Sequence, residues 1–214
     1  MKTYKKGQAV QLSTNFRSTE FDCHGKGCCN STPIDERLVD VLQNVRDHFG
    51  ASVNVNCGYR CPKHNAKVRG ASKVSQHMRG MAADIHINGV HPYRIARYVS
   101  SIITFTGRIG CYTWGGNNGF VHIDVRGTNS KGIYTEGNVY CDAVANFDQI
   151  VCLGSRGRIV KVVQRFLKDA GLYSGRIDGK CESGTESAIC KWNEQHGRTS
   201  NVWDVQCWEE AFPK

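Results

Sequence analysis

The 214-residue sequence lacks any apolar run that approaches the ~20 residues of a membrane-spanning helix. This absence excludes a helical membrane protein, and we expect no membrane partner. Residues 1–8 are basic, but no apolar stretch of the kind found in secretory signal peptides follows them. We therefore expect synthesis in the cytoplasm without a signal peptide.

The sequence also lacks an even number of cysteines. Eleven cysteines argue against a complete disulfide framework, and thiols are the default state in a reducing cytosol. Cys23, Cys28 and Cys29 cluster with His24 in a pattern that could hold a structural zinc ion, although no partner Cys-x-x-Cys follows. Cys57 and Cys61 could form a bridge in an oxidising setting or could be small buried side chains.

The sequence also lacks a recognisable nucleic-acid-binding motif. The formal net charge of +9 suits a polyanionic partner, but it is equally explained by solubility. Wall polymers and peptidoglycan carboxylates are alternative polyanions. A nucleic-acid partner is suggested by the charge and by no other feature. We therefore expect no nucleic-acid partner.

Two polar motifs are present, and both point to metal chemistry. Residues 75–84 read S-x-H-x-x-G-x-A-x-D and contain His77 and Asp84, while residues 120–126 contain His122. Two histidines and an aspartate from separate segments can close around one zinc ion. Such a site leaves its fourth position open for water, as catalytic zinc sites do. The motifs therefore predict a hydrolase.

The two motifs lie on predicted strands. In residues 82–87 the alternation places Asp84 on one face and the apolar side chains on the other. In residues 120–126 the same alternation places His122 and Asp124 on one face. If the strands share a sheet, both polar faces can line one cleft. Gly80 would let the chain bend tightly between His77 and Asp84.

These motifs resemble those of the M15 metallopeptidases, which include D-alanyl-D-alanine carboxypeptidases, murein endopeptidases and phage endolysins. The resemblance covers roughly residues 12–127 and includes N-F-R-S-T-E-F near the start, G-Y-R-C-P-K-H-N, the S-x-H-x-x-G-x-A-x-D run and H-I-D-V-R-G. It implies that His77, Asp84 and His122 are zinc ligands. It also implies that Arg60 and Ser75 hold carboxylate or carbonyl groups of the substrate, a task that suits the planar guanidinium.

One position departs from the family pattern. Many relatives place an acid three residues before the third ligand as general base, but this chain has Gly119 there. Asp124 is the nearest alternative catalytic base, and its other interpretation is support of a zinc-bound histidine. His86 and Tyr112 are further candidates. Loss of catalysis is the remaining alternative.

The apolar spacing predicts an α+β fold with a small antiparallel sheet and packed helices, followed by a small three-helix domain. Thr32 and Pro33 are expected to cap and open the first helix, which Gly50 ends. Pro92 is expected to open a second helix. Residues 52–56, 108–113 and 120–126 are predicted strands, and residues 115–119 are a predicted turn. The predicted domains are a zinc metallopeptidase domain at 1–130, a linker at 131–150 and a three-helix peptidoglycan-binding domain at 151–214.

The C-terminal region resembles three-helix peptidoglycan-binding domains. The matching positions are Leu153-Gly154, residues 160–164, Leu167, Gly171, Gly175, Ile177-Asp178-Gly179, Thr185-Glu186, Ala188 and Trp192. Thr185 is expected to cap the second helix, and residues 202–212 to supply the third. Residues 180–184 depart from the family's Gly-x-x-Thr turn. Gln164 and Asp178 are expected to be structural.

Together the motifs predict a zinc-dependent peptidoglycan hydrolase of the D-Ala-D-Ala carboxypeptidase or endopeptidase type. It would cleave a peptide bond of the murein stem peptide or cross-bridge while its C-terminal domain binds the wall. We expect a monomer that acts on bacterial peptidoglycan, with release at lysis as a phage lysin. The alternative is a non-catalytic, zinc-bearing wall-binding protein.

Overall fold

The computed structural model describes residues 1–103, 107–112, 119–127, 132–135, 139–141 and 149–212. Most of the predicted turn at 115–119 and part of the predicted linker lie outside the described residues. The chain divides into two compact units, Met1–Glu136 and Gly137–Lys214. Among the described residues, no helix has both the length and the apolar character needed to cross a membrane.

The first unit begins with a two-stranded antiparallel sheet of β1 (Lys2–Lys5) and β2 (Ser31–Ile34). The predicted cap at Thr32 is therefore wrong, because Thr32 and Pro33 lie within β2. Helix α1 instead begins at Glu36 with Asp35 as its cap, and the Asp35 carboxylate accepts a hydrogen bond from the Arg37 amide at 3.0 Å. Asp is among the best N-cap residues. The Thr32 hydroxyl instead donates a hydrogen bond to the Asp22 carboxylate.

Helix α1 (Glu36–Phe49) presents a buried apolar face of Leu38, Val39, Val41, Leu42 and Val45. It ends, as predicted, at Gly50, whose φ of 59° is left-handed. Strand β3 (Val53–Cys57) follows, and the short helix α2 (Pro62–Asn65) begins after Cys61.

The central sheet of the first unit contains β3, β4 (Ala82–Ile87), β6 (Phe120–Asp124), β5 (Arg108–Tyr112) and β7 (Gly132–Thr135), in that order. All pairs are antiparallel except β5 with β7, which is parallel. Helices α1 and α3 (Pro92–Ile102) pack on this sheet. The predicted α+β class with small antiparallel sheets is confirmed.

The register of β4 and β6 determines where the polar motifs lie. Asp84 stands opposite His122, and Ala82 stands opposite Asp124. The alternate residues Ile85 and Ile123 are fully buried. The sheet therefore has one apolar face in the core and brings the two polar motifs to the other.

The second unit contains β8 (Val139–Cys141), α4 (Arg158–Asp169), α5 (Ser183–Gln195) and α6 (Val205–Ala211). Three predicted helices are thus present, although α5 begins before Thr185. That residue is not the cap, because its buried hydroxyl accepts a hydrogen bond from Gln164 Nε2 at 3.1 Å. Gln164 also bonds to Asp178 and to the Gly179 amide, in the structural role expected for it.

Candidate active site

His77, Asp84 and His122, which we call the His–Asp–His cluster, converge at one point. His77 lies on the 3-10 helix Gln76–Arg79, Asp84 on β4 and His122 on β6. The His77 Nε2 atom is 3.1 Å from His122 Nδ1 and 3.2 Å from Asp84 Oδ1, and the last two atoms are 2.8 Å apart. The structure thus brings together the three residues that the sequence assigned to zinc.

Gly80 lets the chain enter the site from the 3-10 helix. Its φ of 67° is left-handed, and a Cβ there would overlap the Pro33 carbonyl. The Gly80 carbonyl accepts a hydrogen bond from the Asp35 amide at 2.9 Å. The tight bend expected at Gly80 is therefore confirmed, and it is held against the start of α1.

A backbone carbonyl orients the His77 ring. His77 Nδ1 donates to the Gly58 carbonyl at 2.7 Å, which leaves the lone pair of Nε2 directed at Asp84 and His122. Fixing one ring nitrogen so that the other faces the ion is the usual arrangement around metal-binding histidines. Burial opposes protonation of His77, but its interactions with Asp84 and Cys57 together outweigh burial and raise the pKa of His77.

A carboxylate orients the His122 ring. His122 Nε2 lies 3.4 Å from Asp124 Oδ2, while Nδ1 faces Asp84. Burial opposes protonation, but the hydrogen bonds with Asp124 and Asp84 outweigh it and raise the pKa of His122 to about 9. Burial likewise opposes ionisation of Asp84, but its bonds to His122 and His77 lower its pKa. A metal ion at this point would take the place of the proton.

Asp124 is fully buried and its carboxylate is heavily engaged. Arg126 Nε donates to Oδ1 at 2.7 Å and Nη2 donates to Oδ2 at 2.5 Å. Despite the opposing effect of burial, hydrogen bonds from His122 and Arg126 lower its pKa to about 2. A carboxylate held in this way has little freedom to collect a proton from substrate. Its geometry favours the supporting role.

The other positions considered for a base are placed differently. His86 Nδ1 lies 2.6 Å from the Asn56 side-chain oxygen, and the Tyr112 ring stacks on Phe120 at 4.4 Å. Gly119 has a φ of 101°, a conformation that residues with a side chain rarely adopt. An acidic residue at position 119 would therefore be strained in this backbone conformation.

The donor set fits zinc. Ligands about 2.0–2.1 Å from a tetrahedral ion lie ~3.3 Å from one another, close to the observed separations. Cys57 Sγ also lies within 4.8 Å of donors of His77 and Asp84. Its contact with His77 is at Nδ1, 3.8 Å away, the nitrogen that already binds Gly58. His122 Nδ1, by contrast, lies 3.1 Å from His77 Nε2 and 2.8 Å from Asp84 Oδ1, so its geometry suits a third donor better than that of Cys57.

Arg60 and Ser75 lie together beside this cluster. Arg60 Nη2 donates to Ser75 Oγ at 3.3 Å, and the Arg60 amide donates to the His77 carbonyl at 3.1 Å. Within the described part of the chain, the buried Arg60 Nε has no hydrogen-bond partner. The hydrogen-bonding capacity of the guanidinium is therefore not fully used by these described residues.

Cysteine placement differs from the sequence interpretation. His24 is exposed and is not grouped with Cys23, Cys28 and Cys29; Cys61 joins them instead. Cys57 and Cys61 are both free thiols. The contribution of Cys61 was missed because its spacing to Cys57 suggested a local pair, whereas its partners are at least 32 positions earlier in the chain.

The fold and the site together define a class of protein, namely an α+β domain with a three-donor cluster of the composition found in catalytic zinc sites. The sequence model of the Peptidase M15 family matches residues 12–124, more than half of the chain, and the chain belongs to this family. It is a peptidase by this membership.

A curated relative gives a more specific comparison. "Probable peptidoglycan L,D-endopeptidase MepK" of Haemophilus influenzae is 31% identical over 98 residues, which are 42% of this chain and 50% of that protein. The chain therefore spans about half the length of the curated relative it matches. The family match ends at residue 124, before helices α4–α6.

Proposed function

We propose that the protein is a zinc-dependent peptidoglycan peptidase that cleaves a peptide bond of the stem peptide or cross-bridge. The observation that carries this proposal is the convergence of His77 Nε2, Asp84 Oδ1 and His122 Nδ1 within 3.2 Å of one another. Family membership supports the reaction class, and the name of the H. influenzae relative supports the substrate.

His77, Asp84 and His122 would hold the ion through these three atoms. A zinc ion bound there supplies Lewis acidity toward a carbonyl and lowers the pKa of a coordinated water. The chain's own contribution is to fix the two imidazoles through the Gly58 carbonyl and the Asp124 carboxylate. Asp124 is thus a positioning residue in this proposal, and Arg126 holds it in place.

Arg60 and Ser75 would orient the substrate. The free Nε donor of Arg60 and its remaining donors suit a carboxylate of the stem peptide. Ser75 Oγ already accepts from Arg60, so its hydroxyl proton is available to a substrate carbonyl or carboxylate. A carboxylate near the scissile bond is present in both carboxypeptidase and endopeptidase substrates, and product analysis distinguishes the two.

The C-terminal unit would anchor the enzyme to the wall. Its three helices enclose a core that includes Trp203, Trp208 and Phe212, all fully buried. A groove of about 320 Å³ is lined by Tyr173, Lys191 and residues of the 180–184 segment. This is the segment that departs from the related binding domains. Tethering would raise the local substrate concentration without new contacts at the scissile bond.

A second candidate function is that of a zinc-bearing wall-binding protein without activity. Gly119 favours it, because this position lacks the acid that many relatives use. The two candidates share the metal and the wall but differ in turnover, so a hydrolysis assay separates them.

The test is mass spectrometry of soluble products released from purified peptidoglycan by the full chain, with and without a zinc chelator. Chelator-sensitive release of a defined fragment supports the proposal and identifies the bond. The matched variants are His122→Ala, expected to release nothing, and His48→Ala, an exposed histidine on α1, expected to behave as wild type. Wall binding and bound zinc without any release would favour the second candidate.

A further inference from the structure

We propose that Cys23, Cys28, Cys29 and Cys61, which we call the thiol cluster, bind a second zinc ion with a structural role. This site is separate from the His–Asp–His cluster and does not depend on the proposed function. It uses four cysteines from two segments of the first unit, residues 23–29 and the start of helix α2.

The sulfur atoms are spaced for a tetrahedral ion. Cys23 Sγ is 3.4 Å from Cys28 Sγ, and Cys28 Sγ is 3.7 Å from Cys29 Sγ. All four sulfurs lie within 4.8 Å of one another. Four sulfurs bound to zinc at about 2.3 Å are separated by ~3.8 Å, so small adjustments would complete the coordination.

Backbone amides point at two of the sulfurs. The Cys61 amide donates to Cys23 Sγ at 3.4 Å, and the His64 amide donates to Cys61 Sγ at 3.3 Å. Such bonds stabilise thiolates, the form in which cysteine binds metal. The bond from the His64 amide to Cys61 Sγ is also the capping bond of the short helix α2.

The loop between Cys23 and Cys28 is closed tightly around the sulfurs. A Cβ at Gly25 would lie 2.5 Å from Cys28 Sγ and 3.1 Å from the His64 side chain. Cys23 and Cys61 are buried, whereas Cys28 and Cys29 are partly exposed. The loop therefore packs closely at Gly25, and two of the four sulfurs belong to residues that are partly open to solvent.

His64 completes the surroundings of the site. Its Nδ1 atom lies 3.3 Å from Cys23 Sγ. With four sulfurs already present, we assign this imidazole as a hydrogen-bond donor to the Cys23 thiolate, not as a ligand. His24, which the sequence suggested as a donor, is exposed.

The site would brace the segment that serves the active site. Gly58 orients His77, Arg60 contacts Ser75, and Cys61 follows directly. The Tyr59 amide also donates to the Phe21 carbonyl at 2.8 Å, two residues before Cys23. A zinc ion at the thiol cluster would therefore tie residues 21–29 to residues 57–64 and fix the backbone on which Gly58 and Arg60 stand.

The test is zinc stoichiometry of the full chain by native mass spectrometry, after purification under reducing conditions with zinc present. We expect two ions per chain in wild type, one in Cys61→Ser and one in His122→Ala. The matched control, Cys190→Ser, changes a cysteine of α5 outside the thiol cluster and should retain two. Cys61→Ser with an unchanged ion count would overturn the proposal. If wild type holds a single ion that Cys61→Ser loses and His122→Ala retains, the thiol cluster is supported and only the proposed function fails.

A second measurement covers the case in which Cys61→Ser fails to fold. Wild-type protein is alkylated briefly, with and without prior chelation, and the modified cysteines are identified by peptide mapping. The proposal predicts that partly exposed Cys28 and Cys29 are protected until the chelator is added, whereas Cys190, also partly exposed, reacts in both samples. Equal reaction of Cys28 and Cys29 in both samples, or disulfides among the four cysteines in reduced preparations, would contradict a zinc site.

Discussion

Residues 57–61 serve two different clusters. Gly58 accepts a hydrogen bond from His77, whereas Cys61 brings its sulfur to Cys23, Cys28 and Cys29. The His–Asp–His cluster takes its donors from a sheet and a 3-10 helix, and a further layer of hydrogen bonds orients each imidazole. The thiol cluster takes its donors from a loop and a helix cap, and backbone amides contact the sulfurs directly.

In our proposal, the two donor sets serve two different uses of a metal. Three donors with Arg60 and Ser75 alongside leave room for water and substrate, as a catalytic ion requires. Four sulfurs fill a tetrahedral shell and leave none, as in structural sites. Under this proposal, the number of ligands and their surroundings distinguish the catalytic site from the structural site more than their location in the fold does.

One variant in each cluster should give the largest effects on activity and on unfolding free energy. His122→Ala is expected to reduce hydrolysis to background, because several kcal/mol of transition-state stabilisation would be lost with the ion. Its thiol cluster should stay filled, so its zinc count should fall by one ion only. Cys61→Ser should lose about 4 kcal/mol of unfolding free energy when free zinc exceeds the dissociation constant a thousandfold. Activity assays and denaturant unfolding measure both, and a Cys61→Ser variant as stable as wild type in excess zinc would remove the distinction.

Asp124→Asn tests how the His122 ring is held. We expect activity at limiting zinc to fall by about 10–100-fold, because the support of the metal-binding imidazole is weakened. Added zinc should restore most of it. A rate that stays about 10² or more below wild type at saturating zinc would assign Asp124 to proton transfer instead. Asp40→Asn, at an exposed position of α1, is the matched control.

Arg60→Lys tests the substrate side of the catalytic centre. A lysine keeps the charge but loses the planar fork, so we expect KM to rise by roughly tenfold, equivalent to 1.4 kcal/mol, with a smaller change in kcat. Both metals should stay bound. Arg69→Lys, at an exposed position, should match wild type. An unchanged KM would remove Arg60 from substrate binding.

The Asp35 side chain, which caps α1, should give the smallest effect. Asp35→Ala should cost about 0.5–2 kcal/mol of unfolding free energy through loss of the cap, while Asp35→Asn keeps a good cap and should cost less. Neither should change the zinc count. Denaturant unfolding of both variants at neutral pH measures this, and equal costs would indicate that the charge matters more than the cap.

The same residue gives a pH dependence with a definite sign. The hydrogen bond from Arg37 lowers the pKa of Asp35 in the folded state despite partial burial. The stabilisation is therefore present above the unfolded pKa of ~3.9 and is lost as the pH falls through the lower folded value. Asp35→Asn should flatten the unfolding free energy in that acidic window. A wild-type slope in the variant would contradict this assignment.

The sequence was sufficient for the parts that local pattern determines. Alternation in residues 82–87 and 120–124 placed Asp84 and His122 on one sheet face, and Gly80 marked the bend. These features follow from period-two strands and from the steric freedom of glycine.

The predictions that failed concern residues that compete for one role or that lie far apart in the sequence. Thr32 has the chemistry of a cap, but Asp35 lies three residues later and takes that role while Thr32 pairs in β2. Cys61 meets cysteines distant in sequence only once β3 and the 21–30 loop are packed together. The engagement of Asp124 by Arg126 likewise requires the folded backbone, so the sequence left its two roles open.

Anomalous diffraction at the zinc absorption edge, from crystals of the reduced protein, tests the account most directly. We predict one peak among His77 Nε2, Asp84 Oδ1 and His122 Nδ1 and a second peak among the four sulfurs of the thiol cluster. A peak at the sulfurs alone would support the structural zinc site but contradict the catalytic zinc site. The absence of both peaks from zinc-replete crystals would contradict the whole account.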